Sequence, residues 1–286
     1  MALRNRRMLD WLPDAIYLKL IFRIKMHQRL ELRKPVTFNE KMQWLKLHDR
    51  NPSYSRMVDK YEVKKFVADR IGEKYIIPVL GIWDKFEEID FDELPDQFVL
   101  KCTHDSGGII ICKDKSKLNI EMARKKLNRS LRTNYFYHGR EWPYKNVKPR
   151  IMAEKYMEDS SGELKDYKLM MFNGKHKCSF VCTERHNKDG LKVTFFDTEW
   201  NEMPFERHYP RSKKRILKPE SYEEMVACAE ILSRSIPFVR IDFYEIGDKP
   251  YFGEITFYPG SGMEEFNPER WDRIMGDWLD ISFKEQ

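Results

Sequence analysis

A chain of 286 residues that is 41% hydrophobic, 14% aromatic and 34% charged can bury one large core or two to three small lobes, because single cores stop growing at about 250 to 300 residues. That balance excludes a disordered or fibrous chain, and no stretch reaches the ~18 consecutive apolar residues of a membrane-spanning helix. The formal net charge of +6 is held entirely by residues 1–35, where Arg4, Arg6, Arg7, Lys19, Arg23, Lys25, Arg29, Arg33 and Lys34 face only Asp10, Asp14 and Glu31.

The basic run opens the chain, and it has two readings. A solvated basic helix face accounts for it; attraction to anionic lipid heads, a lipid-linked substrate or nucleic acid is the functional alternative. Nucleic acid is not expected, because no recognition-helix signature, zinc-finger spacing or aromatic RNA-binding motif accompanies the charge. Residues 8–28 then carry Leu9, Leu12, Ile16, Leu18, Leu20, Ile21 and Ile24 at helical spacing, with Pro13 near the start. Thr37-Phe38-Asn39-Glu40 reads as a capping box opening a second helix through Met42, Trp44, Leu45 and Leu47. A third helix is predicted from about Ser55 to Ile71, ending at Gly72.

Tyr75 to Val79 reads as a short strand. Phe98 to Cys102 is an apolar run bounded by turn residues. It carries Lys101 and leads into Ser106-Gly107-Gly108 and the strand Ile109 to Ile111. A charged helix is predicted over 115–134, followed by an aromatic and basic loop from Tyr135 to Pro149, long enough to suspect a lid. Next come a strand at Ile151 to Met157, a hairpin turning at Asn173-Gly174, and an apolar run at Val193 to Phe196. The chain continues with a helix over 221–235, strands Phe238 to Tyr244 and Tyr251 to Ile255 joined at Gly247-Asp248, and a loop from Tyr258 to Gly262. A short helix follows Pro268.

The five cysteines are scattered, with no recognisable secretory signal, so a reducing cytoplasm is the expected compartment. Cys178 and Cys182 lack the second compact ligand pair that zinc requires. Helices, a mixed lobe and an antiparallel lobe in that order predict an α+β fold with a site between two sheet-containing lobes.

Alternation puts Arg240, Asp242 and Tyr244 on one face of the first late strand, and Glu254 and Thr256 on one face of the second. Two carboxylates on neighbouring strands form part of the oxygen shell that magnesium takes when phosphates supply the rest. A solvent-facing strand pair would look the same. The glycines of Pro259-Gly260-Ser261-Gly262 let amides turn toward an anion, though Pro-Gly is also a plain turn. Lys101 is costly to bury without a negative partner, and phosphate would be one; a hairpin turn with a snorkelling lysine accounts for it equally well.

Lys101 with Ser106-Gly107-Gly108, Ala153-Glu154-Lys155-Tyr156, Asp166-Tyr167-Lys168, Arg240-Ile241-Asp242, Glu254-Ile255-Thr256 and Pro259-Gly260 together resemble an ATP-grasp enzyme over roughly residues 55–265. Thr37 to Lys41, Val58-Asp59-Lys60-Tyr61, Lys101 to Gly108 and Phe257 to Gly262 resemble its TupA-like branch, associated with teichuronopeptide and other surface-polysaccharide synthesis. Residues 1–54 read as a basic helical N-terminal region, where the family usually has a nucleotide-style α/β lobe; the resemblance implies an ATP-grasp lobe with a glycine loop over 55–150 and a second lobe with the metal site over 151–286. ATP would lie between two sheets. Lys101 and Asp166 would serve the nucleotide, Ser106 to Gly108 would fold over its phosphates, and Glu154, Lys155 and Tyr156 would read the adenine edge. Lys168 would meet phosphate or the activated substrate. Asp242, Glu254 and Thr256 would hold Mg2+ or Mn2+, Arg240 would steady the developing negative charge, and Gly260, Ser261 and Gly262 would meet the acceptor. The family usually carries asparagine where Thr256 stands.

The implied reaction is ATP-dependent joining of a carboxylate to an amine through an acyl phosphate. The expected partners are a small-molecule or lipid-linked sugar acid and an amine, with the basic N-terminus at the inner face of the membrane. Tyr135, Tyr137, Arg140, Trp142, Tyr144 and Lys145 are candidates to stack on a sugar. A sugar kinase, a glycosyltransferase and a non-catalytic ATP-binding scaffold are the alternatives.

Overall fold

The computed structural model describes residues 9–159, 164–184 and 190–282. Arg4, Arg6 and Arg7 of the basic run, and Met8 at the start of the first predicted helix, lie outside the described residues. The chain forms two compact units, one made of residues 1–50 with 159–286 and the other of residues 51–158.

The first unit begins with α1 (Asp14–Met26), which starts at Pro13 and ends at His27, whose φ is 56°. Proline lacks the amide a helix interior needs, so it opens this helix rather than sitting within it. Tyr17, Leu18, Ile21 and Phe22 bury one face of α1 with Leu30 and Met263. In α2 (Phe38–His48) the predicted capping box is present: Thr37 Oγ1 accepts from the Glu40 amide at 3.2 Å, and Glu40 Oε2 from the Thr37 amide at 3.0 Å.

The second unit departs from the sequence expectation in its first two elements. The predicted third helix is two helices, α3 (Ser53–Val58) and α4 (Glu62–Ile71). Asp59 breaks it, because its Oδ1 accepts from the amides of Tyr61 at 2.8 Å and Glu62 at 3.1 Å and so caps α4. The strand expected at Tyr75 to Val79 lies later, as β1 (Val79–Trp83), after a 3-10 turn at Glu73–Tyr75. Pro78 cannot donate to a ladder, and pairing with the strand at Ile151–Lys155 starts at Val79.

The sheet of this unit contains β1, β2 (Phe98–Cys102), β3 (Ile109–Cys112) and, beyond α5 (Ile120–Leu131) and α6 (Phe136–Gly139), β4 (Ile151–Lys155), in the antiparallel order β1-β4-β2-β3. Phe98, Leu100, Cys102, Ile151 and Ala153 cover one face with Ala123 and Leu127 of α5. Lys101 and Glu154 lie on the other, as alternation requires.

The first unit resumes with β5 (Asp166–Phe172), β6 (Lys175–Thr183), β7 (Lys192–Phe196), β8 (Glu206–Arg207), α7 (Tyr222–Leu232), β9 (Phe238–Ile246), β10 (Lys249–Thr256), β11 (Phe266–Asn267) and α8 (Arg270–Trp278). Five strands pair in the antiparallel order β10-β9-β5-β6-β7. Asn173-Gly174, with φ of 50° and 79°, and Gly247-Asp248, with φ of 55° and 59°, are the positive-φ pairs that two-residue hairpins demand. The β8–β11 ladder was not legible in the sequence, because two residues a strand carry no period. At Gly276 an added Cβ would stand 2.2 Å from the Val36 carbonyl, which locks α8 against the segment leading into α2. Among the described residues no helix is long and apolar enough to cross a membrane.

Candidate active site

Val239, Ile241 and Phe243 of β9 are fully buried on one side of the sheet, and Arg240 and Asp242 therefore project from the other. The register brings Lys168 of β5 and Glu254 of β10 opposite Asp242 on its two sides, and Thr256 opposite Arg240. A bulge at Gly253 is essential to this arrangement. Without it, Phe252 and Glu254 would share a face; with it, Phe252 and Ile255 both reach the core while Glu254 turns to Asp242.

The result is a chain of charges on three strands. Arg240 grips Asp242 with two hydrogen bonds, of 2.6 and 2.7 Å, and donates a third to Glu254 Oε1 at 2.7 Å. Lys168 pairs with Asp242 and with Asp166 Oδ2, the latter at 2.5 Å. Thr256 Oγ1 donates to Glu254 Oε1 at 3.3 Å. Three carboxylates against two cations leave one surplus negative charge. Burial pushes the Asp242 carboxyl up to about 6, against the downward pull of Arg240 and Lys168. Burial also works against both cations, but Asp242 and Glu254 outweigh it at Arg240, and Asp166 and Asp242 outweigh it at Lys168, so each is raised.

Beyond β10 the backbone enters a left-handed turn, with φ of 60°, 58° and 58° at Gly260, Ser261 and Gly262. Its carbonyls are bound from α2. Lys46, only 1% exposed, donates to the Ser261 carbonyl at 2.8 Å, to Ser261 Oγ at 2.9 Å and to Gln43 Oε1 at 3.0 Å. Gln43 Nε2 donates to the Gly262 carbonyl at 2.6 Å. The Ser261 and Met263 amides are used within the turn, on the Tyr258 and Gly260 carbonyls.

In the second unit Glu154 holds Lys64 of α4 at 2.6 Å and is ion-paired with Lys101. Burial pulls the Lys64 ammonium down against Glu154; at Glu154 itself burial raises the carboxyl, but Lys101 and Lys64 prevail and lower it. The Lys155 amide is taken by the Pro78 carbonyl at 3.0 Å, and the Tyr156 hydroxyl by Glu158 at 2.8 Å.

Ser106-Gly107-Gly108 forms a tight turn rooted by Asp105, whose Oδ1 accepts from the Gly108 amide at 3.1 Å and whose Oδ2 accepts from Ser130. An added Cβ on Gly108 would stand 2.5 Å from Ser130 Oγ, whereas Gly107 faces open space. Half-buried Lys60 donates to the Asp105 carbonyl at 2.5 Å.

Residues 40–280 match the family described as TupA-like ATPgrasp. The chain belongs to the TupA-like ATP-grasp family. Its α+β architecture is the ATP-grasp fold. Among solved structures, this TupA-like chain is similar to the D-alanine–D-alanine ligase of Bacillus anthracis complexed with ATP, at 17% identity and a TM-score of 0.41, over 76% of this chain and 55% of that one. It is also similar to the Helicobacter pylori D-alanine–D-alanine ligase, at 15% identity and a TM-score of 0.40, over 78% and 63%. A D-cycloserine synthetase is similar at 14% identity and a TM-score of 0.42, over 79% and 71%. The chain thus spans 55 to 63% of the length of these two D-alanine–D-alanine ligases. No curated protein matches it.

In this TupA-like chain Asp166, Lys168, Arg240, Asp242, Glu254 and Thr256 form one connected cluster, and Lys101 and Glu154 form another. Lys64 joins the second cluster, and Gln43 and Lys46 hold the Ser261 turn, without a motif that marks them. For Lys46 and Gln43 a signal existed: with Asn39 and Met42 they lie at helical spacing on the buried stripe of α2, polar where apolar residues are expected. Arg140 is 3% exposed and lies over the Phe136 and Tyr137 rings at 5.4 and 5.2 Å.

Proposed function

We propose that this chain is an ADP-forming carboxylate–amine ligase that uses Mg-ATP to make an amide through an acyl phosphate. The observation that carries the reading is the cluster of Asp166, Lys168, Arg240, Asp242 and Glu254, brought together from three strands on one face of the sheet. Lys168 and Asp242 are buried and Asp166 and Arg240 nearly so, while Glu254 reaches solvent; burying such charges costs desolvation that well-packed apolar residues would avoid. Their gathering on one sheet face argues for chemistry involving charge.

The cluster suits magnesium. Its donors are all oxygen, from Asp242, Glu254 and the Thr256 hydroxyl, and the surplus charge is negative. Among the described residues no three His, Cys, Asp or Glu side chains make a metal cage on their own. Magnesium would draw its remaining ligands from water and phosphates. When bound, the ion would neutralise phosphate charge at the transferred group.

The chain's own residues supply position and charge. Lys101 and Lys60 offer ammonium groups to phosphate, Ser106 to Gly108 present a turn without side-chain bulk, and Glu154 to Tyr156 face the adenine. A carboxylate oxygen of the acid attacks the γ-phosphorus and ADP leaves. The amine then attacks the carbonyl carbon, loses its proton, and expels phosphate as the tetrahedral intermediate collapses. Arg240, held rigid by Asp242 and Glu254, is set to stabilise the oxyanion, and Lys168 to meet the phosphoryl oxygens. Gly260, Ser261 and Gly262 seat the acceptor.

The acid is proposed to be a uronic-acid group of a surface polysaccharide or its lipid-linked precursor, and the amine an amino acid or amino alcohol, acting in the cytoplasm. Family membership and the basic N-terminal segment support this. The test is a panel of sugar acids and amines with Mg-ATP, read by ADP release and product mass. ADP release that needs both acid and amine, with an amide as product, supports the ligase; a phosphorylated sugar without amide refutes it.

A further inference from the structure

α1 is apolar on both sides. Its inner face is buried in the core, yet Ile16, Leu20 and Ile24 stand on the outer face, 54%, 40% and 48% exposed, and Trp11 just ahead of the helix is 77% exposed. The three aliphatic residues are spaced by four, so they form a continuous line about 12 Å long on the helix surface. Lys19 and Arg23, each three residues beyond a member of the line, border it on one side, and Arg33 and Lys34 follow in the next segment, all exposed.

Among the described residues none of these four cations makes an ion pair with a carboxylate. The acidic residue of the helix is already neutralised, since Asp14 pairs with Arg50 at 2.9 Å. The surface is therefore a strip of aliphatic side chains bordered by Lys19 and Arg23, with the acid of Glu31 turned onto the amides of Arg33 and Lys34 in the following segment.

We propose that this outer face of α1 docks the protein onto an anionic lipid surface. An apolar strip set into a basic border is the pattern of a helix lying in the plane of a bilayer interface, with aliphatic groups at the acyl boundary and cations among the headgroups. Cations near such a surface add attraction that falls off within a screening length. A second copy of this chain is the poorer occupant, because a symmetric contact through the strip would set Lys19 and Arg23 against their own copies. The helix has 13 residues and lies on the surface without crossing it. The inference is independent of the ligase reading, since none of these residues belongs to either charged cluster.

The experiment is co-sedimentation of the full chain with phosphatidylcholine vesicles containing about 30% phosphatidylglycerol, and with pure phosphatidylcholine vesicles. Three proteins are compared: wild type, the triple variant Ile16→Ser, Leu20→Ser, Ile24→Ser, and the double variant Lys19→Gln, Arg23→Gln. Wild type is expected to partition onto the anionic vesicles and not the neutral ones, and each variant to bind about tenfold less. Circular dichroism and Mg-ATP binding of the variants in solution stay as in wild type. Failure of wild type to bind anionic vesicles overturns the proposal, as does undiminished binding of the triple variant. So does a wild-type dimer in the ultracentrifuge that the triple variant disperses.

Discussion

Lys101 and Glu154 are ion-paired across the β2–β4 ladder, and Lys64 closes on the other oxygen of the same carboxylate from α4 at 2.6 Å. One acid thus separates two ammonium groups in a mostly buried setting. Glu154→Gln leaves both lysines without their counter-charge, and a loss of about 3 to 5 kcal/mol is expected. Urea unfolding reads it; a loss under about 1 kcal/mol would show that solvent already screens the pair.

Arg240 is held by Asp242 and Glu254, so its substitution probes chemistry more than binding. Arg240→Lys keeps the charge but cannot reproduce the two-pronged contact. The expected result is a fall in kcat of about 10²- to 10³-fold, with Mg-ATP affinity changed less than about threefold. Calorimetry beside steady-state rates separates the two, and equal losses in both would make Arg240 a nucleotide-binding residue.

The two glycines of the turn at Ser106 to Gly108 are predicted to behave differently. Gly108→Ala drives a methyl to 2.5 Å from Ser130 Oγ and 2.8 Å from Cys102 Sγ, which costs about 1 to 3 kcal/mol. Gly107→Ala meets open space and leaves the melting temperature near wild type. Its methyl sits on the exposed side of the turn, so weakened ATP binding in an otherwise stable variant is the expected signature; unchanged affinity would remove the turn from the nucleotide site.

His176 gives stability a pH dependence. Burial pushes its imidazole from 6.5 down to about 4, beside the Ser179 hydroxyl at 2.9 Å. Above pH 6.5 the folded and unfolded chains both carry it largely neutral. Between 6.5 and about 4 the unfolded chain takes up a proton that the folded chain refuses, so stability falls as pH falls, by up to about 3 kcal/mol. Denaturation midpoints across that range, compared with His176→Gln, isolate the effect; parallel curves for the two proteins would refute it.

The hairpins were legible in the sequence because Asn173-Gly174 and Gly247-Asp248 are local signals, as was the capping box at Thr37 and Glu40. The break at Asp59 was not, because helical periodicity carries across it. What stops the helix is a side chain that caps α4 while its other oxygen meets Arg150 at 3.2 Å, a partner 91 residues away.

The chain by itself determined which residues carry charge on which strand, since alternation is a property of the backbone, and its motifs pointed to the ATP-grasp fold. Only tertiary structure decided who meets whom. The bulge at Gly253 turns Glu254 toward Asp242 against the simple parity of the strand, Lys64 arrives from a helix to share Glu154, and Lys46 reaches across more than two hundred residues to hold the Ser261 turn. Those pairings depend on register and packing between distant segments, where the energy of a buried charge rests on its neighbours in space rather than in sequence.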